Sequence, residues 1–391
     1  MAEVEHVTIN RLVHSRNYER GEEVNKMLIQ CTKKLLDQLK IKPSLVETEQ
    51  PLFSWHANLI IVNHRKTIVL VNDNSRYVIV LYGLKAKDFK NLNEIINNSI
   101  RDTLLDEYIK PEIVERYINH LPEIIYTKTK DRSMVAKMNK ACDQVYFYGA
   151  KLNSNSIGQS AINIRVSASL VGDGGGNYSY PHESLYKALE AFANETIFTC
   201  KAVGFKVMLD LEEHYAWRKV IVPLNITFKR LHDILQILFD WKDYHLHKFY
   251  IFDGEKPVAN IVSSDDAFED PYNLPTKIEI DTKLVEYIPK YSRIKYNYDF
   301  GDNWQHYIEI EEINDNYTQN YPVCLAGEGN APPEDVGGSS GYAEFLKAIS
   351  DPKHPEHVDM LEWGKMQWYR DFNIELVNKR LVNSLKGLWE R

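Results

Sequence analysis

Five ionisable side chains gather around two short, glycine-bearing segments of this chain. Asp299, Asp302 and His306 lie in Tyr298-Asp-Phe-Gly-Asp-Asn-Trp-Gln-His306, and Glu334 and Asp335 lie in Pro332-Pro-Glu-Asp-Val-Gly-Gly338. Carboxylates and imidazoles set among aromatics and glycines are the raw material of an active site or a metal site. If Gly301 to Asn303 form a turn, Asp299 and Asp302 come close together and His306 returns along the opposite strand. That arrangement suits a hard divalent ion, or a general acid/base pair whose pKa values are driven apart by mutual repulsion. The structural alternative is that both aspartates accept turn N–H bonds while Trp304 packs beneath them.

A second constellation is His245-Leu-His247 at the start of an expected strand. Alternate strand residues share a face about 6.6 to 6.8 Å apart, so two imidazoles could converge on one metal ion or simply line a half-exposed face. His232, one helix earlier, reads as an interface residue. In the Pro332–Gly338 loop the prolines fix φ and the glycines permit positive φ, which holds Glu334 and Asp335 on a shaped turn. Such a loop beside a histidine face calls for a cation: a metal, Arg218 or Arg293, or a cationic partner. Ser339 and Ser340 read as caps of the following helix, since neither sits in a nucleophile elbow.

The elements that must position these groups belong to a chain of 391 residues, long enough for two domains. Hydrophobic residues at 44% and charged residues at 26% suit a globular fold. A formal charge of -8 argues against a surface built throughout for nucleic acid, while leaving room for a local basic patch. No apolar run is long enough to span a bilayer and no signal-peptide core is visible, so a cytoplasmic location is expected, with no membrane partner. The four cysteines are scattered, which indicates neither a disulfide framework nor a Cys-rich zinc site.

Residues 1 to 26 are polar and aperiodic. Glu22-Glu23-Val24 can be encoded by a purine-rich ribosome-binding sequence upstream of Met27, so Met27 is an expected start and the preceding residues a translated leader or a disordered tail. From Met27 to about residue 202 the patterns read as a strand, a short helix capped by Thr32, a three-stranded antiparallel meander, and helices around a further strand at 123 to 127. Gly172-Asp-Gly-Gly-Gly-Asn177 reads as a turn, since it lacks the Gly-Lys-Ser/Thr ending of a phosphate loop. From residue 203 onward, strands alternate with an amphipathic helix whose Leu231, Ile234, Leu235 and Leu238 share a face, and three helices close the chain. The expected fold is α+β in two domains, each an antiparallel sheet packed with helices. Trp363, Trp368 and Trp389 in the closing helices are spaced for packing on the sheet, whereas base stacking calls for aromatics interleaved with Lys and Arg.

Taken in order, Trp217-Arg-Lys-Val220, Leu231-His232 with Phe239-Asp-Trp241, His245-Leu-His-Lys-Phe249, Tyr298-Asp-Phe-Gly-Asp-Asn-Trp304 with His306, and Pro332-Pro-Glu-Asp-Val-Gly-Gly338 with Gly341-Tyr342 resemble the plasmid pRiA4b ORF-3-like family over about residues 203 to 388. That resemblance implies an α+β domain found in proteins encoded on plasmids and beside transposon genes, some of them labelled transposon passenger or resolvase-like. No established reaction comes with it. Residues 27 to about 200 are similar to the uncharacterised DUF6933 family through Met27-Leu-Ile-Gln-Cys-Thr-Lys-Lys-Leu35, Phe53-Ser-Trp-His-Ala57, Tyr82-Gly-Leu-Lys-Ala86 and Thr129-Lys-Asp-Arg-Ser-Met134. Within it, Trp55-His56 with Asn58 and Lys130-Asp-Arg132 are candidates for a polar site, a structural role being the simpler reading.

The leading expectation is therefore an accessory protein of mobile genetic elements that binds nucleic acid or a protein partner that processes it. The alternative is a metal-dependent hydrolase or nuclease with Asp299, Asp302, His306, Glu334 and Asp335 as its catalytic groups. Its divalent metal would be held by His245, His247, Asp299, Asp302 and His306. A third reading, self-associating scaffolds, rests on the aromatic content.

Overall fold

A computed structural model describes residues 26–45, 49–120, 123–263 and 274–386. The expected leader and Trp389 lie outside them, except that Lys26 opens the first strand, β1 (Lys26–Cys31). The first half continues as α1 (Lys33–Leu39), β2 (Ser54–Val62), β3 (Arg65–Asn72), β4 (Val78–Tyr82), α2 (Leu92–Asp106), α3 (Pro111–Asn119), β5 (Glu123–Lys128), α4 (Arg132–Phe147), α5 (Ser160–Ser167), the two-residue strands β6 (Val171–Gly172) and β7 (Tyr178–Ser179), and α6 (Pro181–Ala193).

Its five-stranded sheet has the order β4-β3-β2-β1-β5. β2, β3 and β4 form the expected antiparallel meander, but β1 runs parallel to both β2 and β5, so the sheet is mixed. The reason is connectivity: helices intervene between β1 and each neighbour, and a crossover returns the chain in the same direction. Alternation along β3 shows the two buried faces. Ile68 and Leu70 join a core with Ile100, Ile113 and Leu189, while Val69 and Val71 join another with Met138, Val145 and Ile162.

The polar motifs of this half serve the fold. His56 Nδ1 lies 2.7 Å from Asp73, which also accepts from Gln30. Thr32, instead of capping α1 with its side chain, donates to Asn58, and Asp131 caps α4 by accepting from Ser133 N. Residues 172–177 form the turn between β6 and β7.

The second half runs β8 (Cys200–Leu211), β9 (His214–Pro223), α7 (Phe228–Leu238), β10 (His247–Asp253), β11 (Lys256–Val262), β12 (Thr276–Ile278), β13 (Arg293–Tyr298), β14 (Trp304–Tyr317), β15 (Val323–Glu328), α8 (Gly338–Ser350), α9 (His357–Met366) and α10 (Ile374–Leu381). Its eight-stranded sheet, ordered β12-β11-β10-β13-β14-β8-β9-β15, is antiparallel except where β12 joins β11. Leu231, Ile234, Leu235 and Leu238 of α7 are all buried in one core with Phe205, Phe249 and Tyr296. Burying such side chains is worth about 1.5–3 kcal/mol each, so this helix is fixed on the sheet and its C-terminal turn has a defined position.

The halves meet through Glu107 at the end of α2. Its carboxylate takes Lys386, which follows α10, Tyr77 Oη at 2.9 Å and Tyr186 Oη at 2.5 Å. Burial acts against the Glu107 carboxylate, but the Lys386 charge and these hydrogen bonds outweigh it and hold its pKa below the usual range.

Candidate functional site

The groups singled out from the sequence lie where the turn after α7, the β13–β14 hairpin tip and the loop before α8 come together. Tyr298, at the end of β13, ties the three. Its hydroxyl donates to Glu334 at 2.5 Å and accepts from Tyr244 N at 3.1 Å, while Glu334 also accepts from Lys242 N and Trp241 Nε1 donates to Pro332 O. Glu334 is 3% exposed and its second oxygen has no hydrogen-bond partner among the described residues, so it sits as a buried brace behind the site.

The structure sends His245 and His247 in different directions. β10 begins only at His247, opposite Tyr298, so strand alternation does not reach back to His245. His247 packs inward and meets Glu279 at 2.7 Å. It stacks on His232 with ring centroids 3.5 Å apart and planes 6° from parallel. His232, far from being a simple interface residue, bonds Tyr296 Oη at 2.7 Å through Nδ1 and Asp243 at 2.8 Å through Nε2. Lone pairs of parallel stacked rings run side by side and do not converge, and His232 spends both nitrogens on protein partners. The His232, Asp243, His247 group is therefore a hydrogen-bonded core network, despite its close donor atoms. Burial, reinforced by the neighbouring His247, holds His232 neutral by pushing its pKa well down. Burial raises the Asp243 carboxyl, but the His232 bond and the Lys229 charge outweigh it and bring it to about 2.

His245, in the turn, faces the carboxylates instead. Its Nε2 lies 3.6 Å from Asp299 Oδ2 and 3.2 Å from Asp335 Oδ1, and among the described residues this nitrogen makes no hydrogen bond. Both aspartates occupy left-handed backbone, at φ 54° and 61°. Asp299 Oδ1 accepts the turn N–H groups of Gly301 and Asp302, as a turn-forming aspartate does, and this leaves Oδ2 directed to His245. Asp302 turns away and accepts from Gly337 N at 3.2 Å. Gly337 and Gly338 have φ of 93° and 69°, and a Cβ on Gly338 would stand 3.0 Å from Asp302 O, so the loop depends on glycine there.

Of the expected ligands, then, His245 and Asp299 come together with Asp335, while His247, Asp302 and His306 do not. His306 on β14 is fully buried among Phe239, Trp241 and Tyr296, with neither ring nitrogen in hydrogen-bond geometry. Burial lowers its pKa to about 3, which makes it a neutral core residue. Arg218 and Arg293 do not serve the acidic loop. Arg218 is buried, donates to backbone carbonyls of Leu238, Trp217 and Glu328, and stacks on Phe372, and Arg293 pairs with Glu255. Ser339 and Ser340 lie inside the first turn of α8, whose cap is Gly337.

Beside this cluster lies a feature that sequence spacing did not reveal. Trp363 packs on the core, but Trp368 is 58% exposed. Trp368 N donates to Lys365 O and Tyr369 N to Gly364 O, which closes α9 with a Schellman turn, and Trp368 takes its left-handed position at φ 64°. That position ordinarily goes to glycine, and a bulky residue there costs about 1–2 kcal/mol. The indole rims an open concavity of about 580 Å³ lined also by Asp240, Lys365, Tyr369, Arg370 and Arg380. Arg370 and Arg380 both pair with Asp240, and Lys242 Nζ stands 5.0 Å from the Trp368 ring and 5.8 Å from that of Tyr244, itself 64% exposed. The alternation of Lys365, Trp368-Tyr369 and Arg370 was the available sequence signal.

An α+β domain with these hairpin and loop motifs defines one class. Residues 201–380 match the model described as plasmid pRiA4b ORF-3-like protein, and residues 28–184 match a domain of unknown function, DUF6933. An uncharacterised protein, y4hQ, from Sinorhizobium fredii is 35% identical over 191 residues, covering 48% of this chain and 94% of that protein. The crystal structure of a protein of unknown function, MM3350, from Methanosarcina mazei Go1 is similar at 32% identity, with a TM-score of 0.40, over 46% of this chain and 97% of that one. The chain belongs to the plasmid pRiA4b ORF-3-like family, and the region preceding the family match is similar to DUF6933. Among the described residues no helix is long and apolar enough to cross a membrane.

Proposed function

We propose that this chain is a binding module for single-stranded nucleic acid, with the Trp368 face as its contact surface. The observation that carries the reading is an exposed tryptophan in a backbone position that favours glycine, on the rim of a concavity lined by Lys365, Arg370 and Arg380, with Lys242 against its ring. Folding alone does not call for an indole there. A stacked base would use the faces of Trp368 and Tyr244, and the interleaved cations would meet phosphates. Asp240 neutralises only part of the two guanidinium groups, so donor capacity remains on this face. The overall charge of -8 opposes long-range attraction, which makes weak, salt-sensitive binding the expected behaviour.

The test is a fluorescence-anisotropy titration of a labelled single-stranded oligonucleotide across a salt series. With two or three phosphates contacted, log affinity is expected to fall with log salt at a slope of about -1.4 to -2.1. Absence of binding at low ionic strength removes the reading.

A further inference from the structure

We infer that His245, Asp299 and Asp335 form a binding site for a divalent transition-metal cation, with Zn²⁺ the best fit. The inference is independent of the nucleic-acid reading. The His245 Nε2 atom is shielded from solvent and, among the described residues, satisfied by no hydrogen bond, although two carboxylates stand close by. Leaving a buried polar nitrogen unpaired is costly, and a metal ion would remove that cost.

The two distances from His245 Nε2 suit the edges of a tetrahedral zinc site. Ligand atoms about 2.0–2.2 Å from a tetrahedral Zn²⁺ stand roughly 3.3–3.6 Å apart along each edge. His245 Nε2 lies 3.2 Å from Asp335 Oδ1 and 3.6 Å from Asp299 Oδ2, and all three donor atoms fall within 4.8 Å of one another. The surroundings orient the donors as well. Asp299 Oδ1 is held by two turn N–H groups, which fixes the carboxylate and leaves Oδ2 for the ion. Asp335 is carried on the turn that Gly337, Gly338 and Asp302 shape. An imidazole nitrogen in the set selects against Mg²⁺ and Ca²⁺, which prefer oxygen alone. The Asp335 side chain is 61% exposed, so the fourth position opens to solvent and would take water.

The competing explanation is an imidazolium held between two carboxylates with no metal. Calorimetric titration of chelator-treated full-length protein with Zn²⁺, and separately with Mg²⁺, distinguishes them. Expected are one Zn²⁺ per chain, no comparable Mg²⁺ binding, loss of the Zn²⁺ site in His245→Ala, and affinity at least roughly tenfold weaker in Asp335→Asn. Asp335 is on the surface, so that variant will fold and keeps the test decisive. Co²⁺ loading gives a second readout, the strong visible bands of a four-coordinate ion, present in the wild type and absent from His245→Ala. Failure of Zn²⁺ to bind, or binding with equal affinity by wild type and both variants, overturns the inference. Oligonucleotide binding by Asp335→Asn should be unchanged, so the two proposals fail separately.

Discussion

His245 and His247 are two residues apart, and the structure gives them opposite environments. His247 enters a buried network in which it meets Glu279 and stacks on His232, whose two ring nitrogens bond Tyr296 and Asp243. His245 stands at a rim, partly exposed, facing two carboxylates with a nitrogen that makes no hydrogen bond among the described residues. Both are close groups of histidine and acid, so proximity alone does not separate scaffold from site. The difference lies in whether donors and acceptors are already matched, and in whether their lone pairs converge.

The comparison breaks if the buried network proves dispensable. His247→Ala strands the Glu279 carboxylate and opens the core, so a loss of about 3 kcal/mol is expected in urea unfolding. Acid sensitivity gives a second test. His306, lowered to about 3, and His232, lowered by burial, are neutral when folded but bind protons in the unfolded chain below its ordinary histidine range. The unfolded state then holds more protons, so stability falls as pH drops from the ordinary histidine pKa toward the folded values. Each such histidine contributes a slope of about 1.4 kcal/mol per pH unit. His306→Phe should flatten that limb in unfolding curves taken from pH 7 to pH 4, and an unchanged slope would contradict its neutral burial.

At the rim smaller effects are expected. Gly338→Ala meets a positive φ and the Asp302 carbonyl, so a loss of about 1–2 kcal/mol is expected, together with weaker Zn²⁺ binding as the Asp335 loop shifts. His245→Ala should change stability without metal by less than about 1 kcal/mol, in contrast to His247→Ala. Equal losses for the two histidine variants would erase the distinction.

Much of this arrangement was legible in the sequence. The apolar stripe of α7, the meander and the hairpin tip follow from periodicity and turn residues, and the family motifs set their order. The parallel pairing of β1 was not, because direction depends on which strands a crossover joins. Nor was the divergence of the two histidines, since the i, i+2 rule requires a strand already in progress and β10 begins two residues after His245. His306 read as a ligand because type and spacing say nothing of burial among aromatics. Trp368 was missed because a tryptophan near helix residues suggests packing, and only backbone conformation shows it at the Schellman position, turned outward.

The central claim is that Trp368 is placed for binding and not for folding, and Trp368→Gly tests it most directly. Glycine suits the left-handed turn, so stability should stay level or rise by up to about 1 kcal/mol. The decisive measurement is the affinity of this folded variant for the single-stranded oligonucleotide. Loss of one stacked base should weaken binding by about 1–3 kcal/mol, or roughly 5- to 150-fold. Wild-type affinity in Trp368→Gly would contradict the account.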